Sequence, residues 1–321
     1  MNLGYDKPLY LLPFDHRHSY VTDMFHLKPP LTVPQREQVV DSKQLIYEGF
    51  KQAVAEGVPF DAAGVLVDEE FGAAILRDAR QRGCVTALSV ERSGTDEFEF
   101  EYGADFASHI EAFDPTFAKV LVRYNPESDP ALNLRQLGRL TQMSAYCRRS
   151  QRRFMFELLV PPTDKQLAQA QGNREAFDRR VRPLLMQQVL RLLQDAGIEP
   201  DVWKVEGLDS YADGERIVQI AQRGGRDQVG CIVLGCGAEK ARVRAWLTVA
   251  AGVSGFIGFA VGRTSFWDAV SGYRAQTLTR AEASTQIAGR LREWVGVFER
   301  GRLARVARAD QMANVTPRPS G

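Results

Sequence analysis

Short apolar runs alternate with longer stretches of mixed polar and apolar residues along most of the chain. The apolar runs are Leu9–Asp15, Ala63–Glu69, Thr86–Glu91, Phe117–Tyr124, Phe154–Val160, Val202–Gly207, Cys231–Gly237 and Phe256–Gly262. Each is six to eight residues long, apolar on both faces and rich in Val, Ile, Leu and Phe. A parallel strand covered on both sides reads this way. Between them the spacing predicts helices over 34–57, 72–83, 131–150, 172–197, 209–224, 238–252, 265–275 and 280–300, with a shorter one over 103–112. Pro34 suits a first helical turn, and Gly197 and Gly224-Gly225 suit helix ends.

Eight strands, each followed by a helix, predict an α/β chain folded as one (β/α)₈ barrel. The barrel is expected over residues 1–300, with 301–321 as a flexible tail that loses apolar periodicity. An open, doubly wound sheet is the alternative. It ordinarily has fewer strands and a glycine-rich phosphate turn after the first one. Here the first strand runs into Pro13-Phe14-Asp15-His16-Arg17-His18 instead. The connection from His16 to Pro34 is long and contains Pro29-Pro30, which makes it a candidate lid.

Composition narrows the function classes. Among 321 residues, 44% are hydrophobic and 25% charged, the mix of a globular protein. A net charge of +1 gives no footprint for nucleic acid or an anionic membrane. No apolar run is long enough to span a bilayer, and the N-terminus lacks the pattern of a signal peptide. Cys84, Cys147, Cys231 and Cys236 show no paired spacing, so reduced thiols and a cytoplasmic location are expected. Of 41 basic residues only 8 are Lys, so a Lys inside an apolar strand stands out.

Two do. Lys204 lies within Val202-Trp203-Lys204-Val205, and Lys119 within strand 4. A strand lysine can snorkel to a barrel rim or sit in a structural ion pair. It can also be a desolvated amine that attacks a carbonyl, with Lys119 as the neighbouring like charge that favours the neutral form of Lys204. Glu157, on the strand between them, is either a buried ion-pair partner or a general acid/base. Strand ends add Asp15-His16-Arg17, Glu91-Arg92, Arg123 and Glu206. Gly235 and Gly237 after strand 7, and Gly262-Arg263 opening the helix after strand 8, form a phosphate-site pattern. The same glycines also suit tight turns. His16 and His18 invite a metal reading, but only His26 and His109 remain as further histidines, and strands 5 and 6 have none. No metal and no cofactor are expected.

Taken together, LYLLPFDHRHSY, DEEFG, AKVLVRYNPE, FELLVPP, WKVEG and GFAVGRTSFWDA resemble the 5-dehydro-2-deoxyphosphogluconate aldolase family. This is the aldolase domain of bacterial myo-inositol catabolism, often fused behind a ribokinase-type sugar kinase. More distantly the chain is similar to class I tagatose-bisphosphate aldolases. The likeness spans about residues 8–300 and has no kinase half, so a stand-alone aldolase domain is expected.

The resemblance implies Lys204 as Schiff-base lysine, Glu157 as acid/base and Lys119 as second active-site lysine. It implies Asp15, His16 and Arg17 as substrate contacts, to which Arg123 is added, and Gly235, Gly237, Gly262 and Arg263 as the phosphate site. It further implies cleavage of a phosphorylated keto sugar acid to dihydroxyacetone phosphate and malonate semialdehyde. The expected partner is this small phosphorylated sugar, with no nucleic acid and no membrane, in a homo-oligomer. An aldolase for another ketose phosphate, a sugar-phosphate sensor and a metal-dependent barrel hydrolase are the alternatives.

Overall fold

The computed structural model describes residues 3–315. Eight strands form a closed barrel: β1 Leu9–Pro13, β2 Ala63–Val67, β3 Val85–Ser89, β4 Phe117–Arg123, β5 Arg153–Leu159, β6 Val202–Glu206, β7 Gly230–Leu234 and β8 Phe256–Ala260. Each pairs in parallel with the next, and β8 closes on β1. The helices are α1 Val33–Ala55, α2 Glu69–Gln81, α3 Phe106–Phe113, α4 Pro130–Arg149, α5 Asp164–Gln169, α6 Arg174–Arg180, α7 Arg182–Asp195, α8 Tyr211–Ala221, α9 Lys240–Ala251, α10 Arg263–Arg274 and α11 Arg280–Val315. The barrel is the predicted (β/α)₈ fold in a single domain. Among the described residues, no helix is long and apolar enough to cross a membrane.

Two hydrophobic layers follow from strand alternation. Strand residues pointing outward, such as Trp203, Phe154 and Phe156, are fully buried under the helices, where Trp294 of α11 joins them. Residues pointing inward at the lower half of the barrel, including Leu9, Leu11, Leu66, Phe117, Met155, Val202 and Ile232, form a separate apolar floor.

The predicted helix over 172–197 is two helices, broken at Val181. Pro183 is the cause: it cannot donate to the carbonyl of Arg179, and its ring crowds that carbonyl. An additional helix, α5, begins at a capping box in which Gln166 N–H donates to Thr163 Oγ1 at 3.2 Å and Thr163 N–H to Gln166 Oε1 at 3.0 Å. The chain does not leave the helix near 300. α11 continues to Val315, with Gly301 against Ala251 and Arg305 donating to the carbonyls of Ala251 and Val253 at 3.2 and 2.6 Å. The rest of the expected tail, 316–321, lies outside the described residues.

One ion pair ties a helix to the upper rim. Lys43 of α1 and Asp68 at the end of β2 are both fully buried and bonded to each other. Asp68 also caps α2, accepting from Phe71 N–H at 2.8 Å. Lys43 donates a second bond to the His16 carbonyl at 3.0 Å. Removing one member of a buried pair strands the other charge. Lys43→Met should therefore cost about 3–5 kcal/mol of unfolding free energy. Lys43→Met with Asp68→Asn, which keeps the cap, should recover most of it. Urea unfolding measures both; a single variant within about 1 kcal/mol of wild type contradicts the pair's role.

Candidate active site

The two-residue period of a strand decides which side chains reach the barrel interior. Phe117 on β4, Met155 on β5 and Val202 on β6 belong to the apolar floor. Two residues further along, the same faces carry Lys119, Glu157 and Lys204. Register brings them together: Glu157 pairs with Lys204 across β5 and β6, and Lys119 with Met155 across β4 and β5. A slip of one residue would turn all three outward. Above them opens a cavity of about 530 Å³ at the C-terminal face of the barrel, lined by every residue of the expected site.

Lys119 is the hub. Its Nζ lies 2.8 Å from Asp15 Oδ2, 2.8 Å from Glu91 Oε1 and 2.8 Å from Glu157 Oε2. The other oxygen of Glu157 lies 2.7 Å from Lys204 Nζ. All five groups are buried. Burial disfavours the Lys119 ammonium, but Asp15, Glu157 and Glu91 outweigh it and hold its pKa well above the usual lysine value. Burial likewise opposes the charge of Glu157 and of Asp15. For each the two lysines win and keep the carboxyl below its ordinary range. At Glu91 burial wins: its pKa is raised, and Lys119 and Arg17 offset that only in part.

Sequence reasoning treated Lys119 as a bare like charge beside Lys204. In the structure that charge is surrounded by three carboxylates, one of which bridges the two lysines. Glu91 was visible only as a polar strand end and was not ranked with the site. Lys43 was missed altogether, although its spacing with Val39, Ile46 and Phe50 places it on the buried face of α1.

The other expected residues divide. Arg17 lines the cavity, but its guanidinium is committed: it donates to Glu101 Oε2 at 2.6 Å and to the Glu91 carbonyl. Arg123 donates to the Thr95 carbonyl at 3.2 Å and stands 3.8 Å from the Asp96 carboxylate. Glu206 accepts from Val160 N–H at 2.8 Å and faces Arg182 at 3.4 Å. Opposite the β3 side, Gly235, Gly237, Gly262 and Arg263 meet at one end of the cavity, where α10 begins. A Cβ at Gly262 would lie 2.3 Å from the Pro13 carbonyl oxygen, so only glycine lets β8 turn here. Arg263 donates to Ser19 Oγ at 2.6 Å and lies over the Trp267 ring.

His18 is exposed and His109 pairs with Glu69 at 2.8 Å. Among the described residues no group of three or more His, Cys, Asp or Glu side chains is arranged to hold a metal ion; Asp15, Glu91 and Glu157 instead surround the Lys119 ammonium.

His16 stands apart from the ion network. It is half-buried, meets Phe266 edge-on at 6.3 Å, and its Nδ1 is buried with no hydrogen-bond partner among the described residues. Burial pushes its pKa down to about 4; Arg263 and Lys204 push the same way, while Asp15 opposes them.

Residues 5–302 match a family described as "Uncharacterized protein conserved in bacteria (DUF2090)". No curated protein matches the chain. Among solved structures, the chain is similar to Cgl0159 from Corynebacterium glutamicum, at 17% identity and a TM-score of 0.54 over 90% of this chain and 87% of that one. It is similar to an archaeal fructose 1,6-bisphosphate aldolase at 13% identity and a TM-score of 0.52, over 88% and 95%. A Schiff-base-forming fructose-1,6-bisphosphate aldolase gives 12% identity and a TM-score of 0.53, over 91% and 94%. At these identities the likeness shows a shared barrel fold.

The site makes a direct prediction at His16. With its pKa pushed down to about 4, the imidazole should be neutral throughout pH 5.5–8. ¹H–¹⁵N spectra, assigned with His16→Asn, should show it titrating below pH 5; a midpoint above 6 contradicts the described environment.

Proposed function

Given that the chain belongs to the bacterial DUF2090 family, we propose that it is a Schiff-base-forming, class I aldolase, a carbon–carbon lyase acting on a ketose phosphate. One observation carries this reading: two lysines joined by one carboxylate inside the barrel, with Glu157 2.8 Å from Lys119 and 2.7 Å from Lys204. Two barrels of similar fold are described as fructose 1,6-bisphosphate aldolases, one of them as Schiff-base-forming, which supports the same chemistry here.

In this reading Lys204 gives its ammonium proton to the Glu157 carboxylate and attacks the substrate ketone as the free amine. The carbinolamine then loses its hydroxyl as water, with the proton returned by Glu157, and the imine forms. Lys119 stays charged because three carboxylates face it, and it keeps Glu157 ionised for the first transfer. Gly235, Gly237, Gly262 and Arg263 hold the phosphate, combining close backbone approach, the N-terminus of α10 and one guanidinium. Asp15 and Arg123 line the remainder of the substrate's path.

The narrower substrate is 5-dehydro-2-deoxy-gluconate 6-phosphate, cleaved to dihydroxyacetone phosphate and malonate semialdehyde in inositol catabolism. The motif resemblance supports it, and it fits a cavity with a phosphate end at Arg263 and a cationic rim at Arg123. The protein would then be cytoplasmic and act on a small phosphorylated sugar.

Wild-type enzyme should release dihydroxyacetone phosphate from this substrate in a coupled assay. Arg263→Ala should raise KM about 10- to 150-fold, the equivalent of about 1.5–3 kcal/mol for a charged hydrogen bond. An unchanged KM contradicts the phosphate site, and no cleavage of this or another ketose phosphate contradicts the reading.

A further inference from the structure

Breaking the carbon–carbon bond beside the imine requires two proton movements that the ion network is badly placed to make. The hydroxyl on the carbon that becomes the aldehyde must lose its proton, and the enamine carbon left behind must gain one. Glu157 has one oxygen on Lys119 and the other on Lys204, which fixes it at the nitrogen end. Glu91 accepts from Lys119 at 2.8 Å and from Leu121 N–H at 3.2 Å, so both of its oxygens are engaged. Asp15 Oδ2 is engaged by the Lys119 ammonium at 2.8 Å, which ties it to the ion network.

His16 has the features these groups lack. It lines the cavity one residue after Asp15, and among the described residues no hydrogen bond reaches its ring. It shares that cavity with Lys204, Glu157 and Arg263. Its position is fixed through the main chain instead of the ring. Lys43 donates to its carbonyl at 3.0 Å, and its neighbours are pinned by Asp15 to Lys119 and by Arg17 to Glu101. Phe266 meets one edge of the ring. Nδ1 is buried, so Nε2, which no hydrogen bond engages among the described residues, is the nitrogen left to meet substrate.

Resting on the imine reading, we propose that His16 is a second acid/base residue of this site, carrying a proton from the substrate hydroxyl to the enamine carbon. The neutral imidazole accepts the hydroxyl proton as the carbon–carbon bond breaks. The bond's electron pair becomes the enamine C=C and the C=N π pair moves to the nitrogen of Lys204, giving the aldehyde and a neutral enamine. The aldehyde leaves. The imidazolium then protonates the enamine carbon, which restores both the iminium and the neutral ring. Water releases the ketone, and Lys204 is free again. Protons and electrons balance with no outside reagent.

Dihydroxyacetone phosphate alone tests this, with two readouts on the full chain. Borohydride reduction followed by mass measurement reports the imine. Proton NMR in D₂O reports exchange of a carbon-bound hydrogen, which needs both the imine and the acid/base group. Wild type should trap and exchange. His16→Asn should trap to the same extent and exchange about 10²- to 10⁴-fold more slowly, the range of general acid/base catalysis. His16→Gln serves as the second variant if the first fails to fold.

Exchange within threefold of wild type, with trapping intact, overturns the assignment. Loss of trapping in the variant alone also overturns it, since His16 would then serve binding or imine formation. Failure of wild type to trap removes the imine reading itself, and the assignment with it.

Discussion

A buried ammonium in the middle of a barrel has to be answered by negative charge, and here three carboxylates from three different strands and strand ends answer it. Asp15, Glu91 and Glu157 all lie 2.8 Å from Lys119 Nζ. Each carboxylate would be costly to bury alone, as would the lysine. Together they form a set in which no member can be removed without stranding another. The set also fixes strand geometry, because Lys119 and Glu157 lie within β4 and β5 while Asp15 and Glu91 lie just past the ends of β1 and β3, and a register slip at any of them would withdraw a partner.

The remainder of the site is arranged around that hub. Glu157 passes the network on to Lys204 at 2.7 Å. The end of β1 is held at three successive residues: Asp15 by Lys119, the His16 carbonyl by Lys43, and Arg17 by Glu101 and the Glu91 carbonyl. Charged groups therefore do the positioning on the β1–β4 side. On the opposite side, Gly235, Gly237, Gly262 and Arg263 line the cavity where α10 begins. The cavity joins an amine end, Lys119 and Lys204 bridged by Glu157, to an end built from backbone and Arg263.

Much of this was legible because barrel strands are buried on both faces, which makes them continuous apolar runs in which a charged residue is conspicuous. Lys119, Glu157 and Lys204 were found for that reason, and all three reach the same cavity. Where the signal was periodic but ambiguous, it failed. The 172–197 stretch keeps helical spacing through Val181, yet Pro183 divides it. α11 runs past residue 300 although its apolar pattern weakens there. Other features had no local signal. Arg17 reads as a free cation at a strand end, and its partners come from 74 and 84 residues away. Lys43 is an ordinary helix residue until the fold buries it against Asp68. A pairing that depends on distant segments meeting in space cannot be read from either segment alone.

The central claim is that Lys204 is the nucleophile, activated through Glu157 and with Lys119 held as a permanent cation. Borohydride reduction in the presence of dihydroxyacetone phosphate, followed by peptide mass mapping, tests it most directly. The account predicts one reduced adduct, on the peptide carrying Lys204, and none on Lys204→Arg. An adduct on Lys119 would contradict the assignment of the two lysines, and the absence of any adduct would contradict the covalent mechanism.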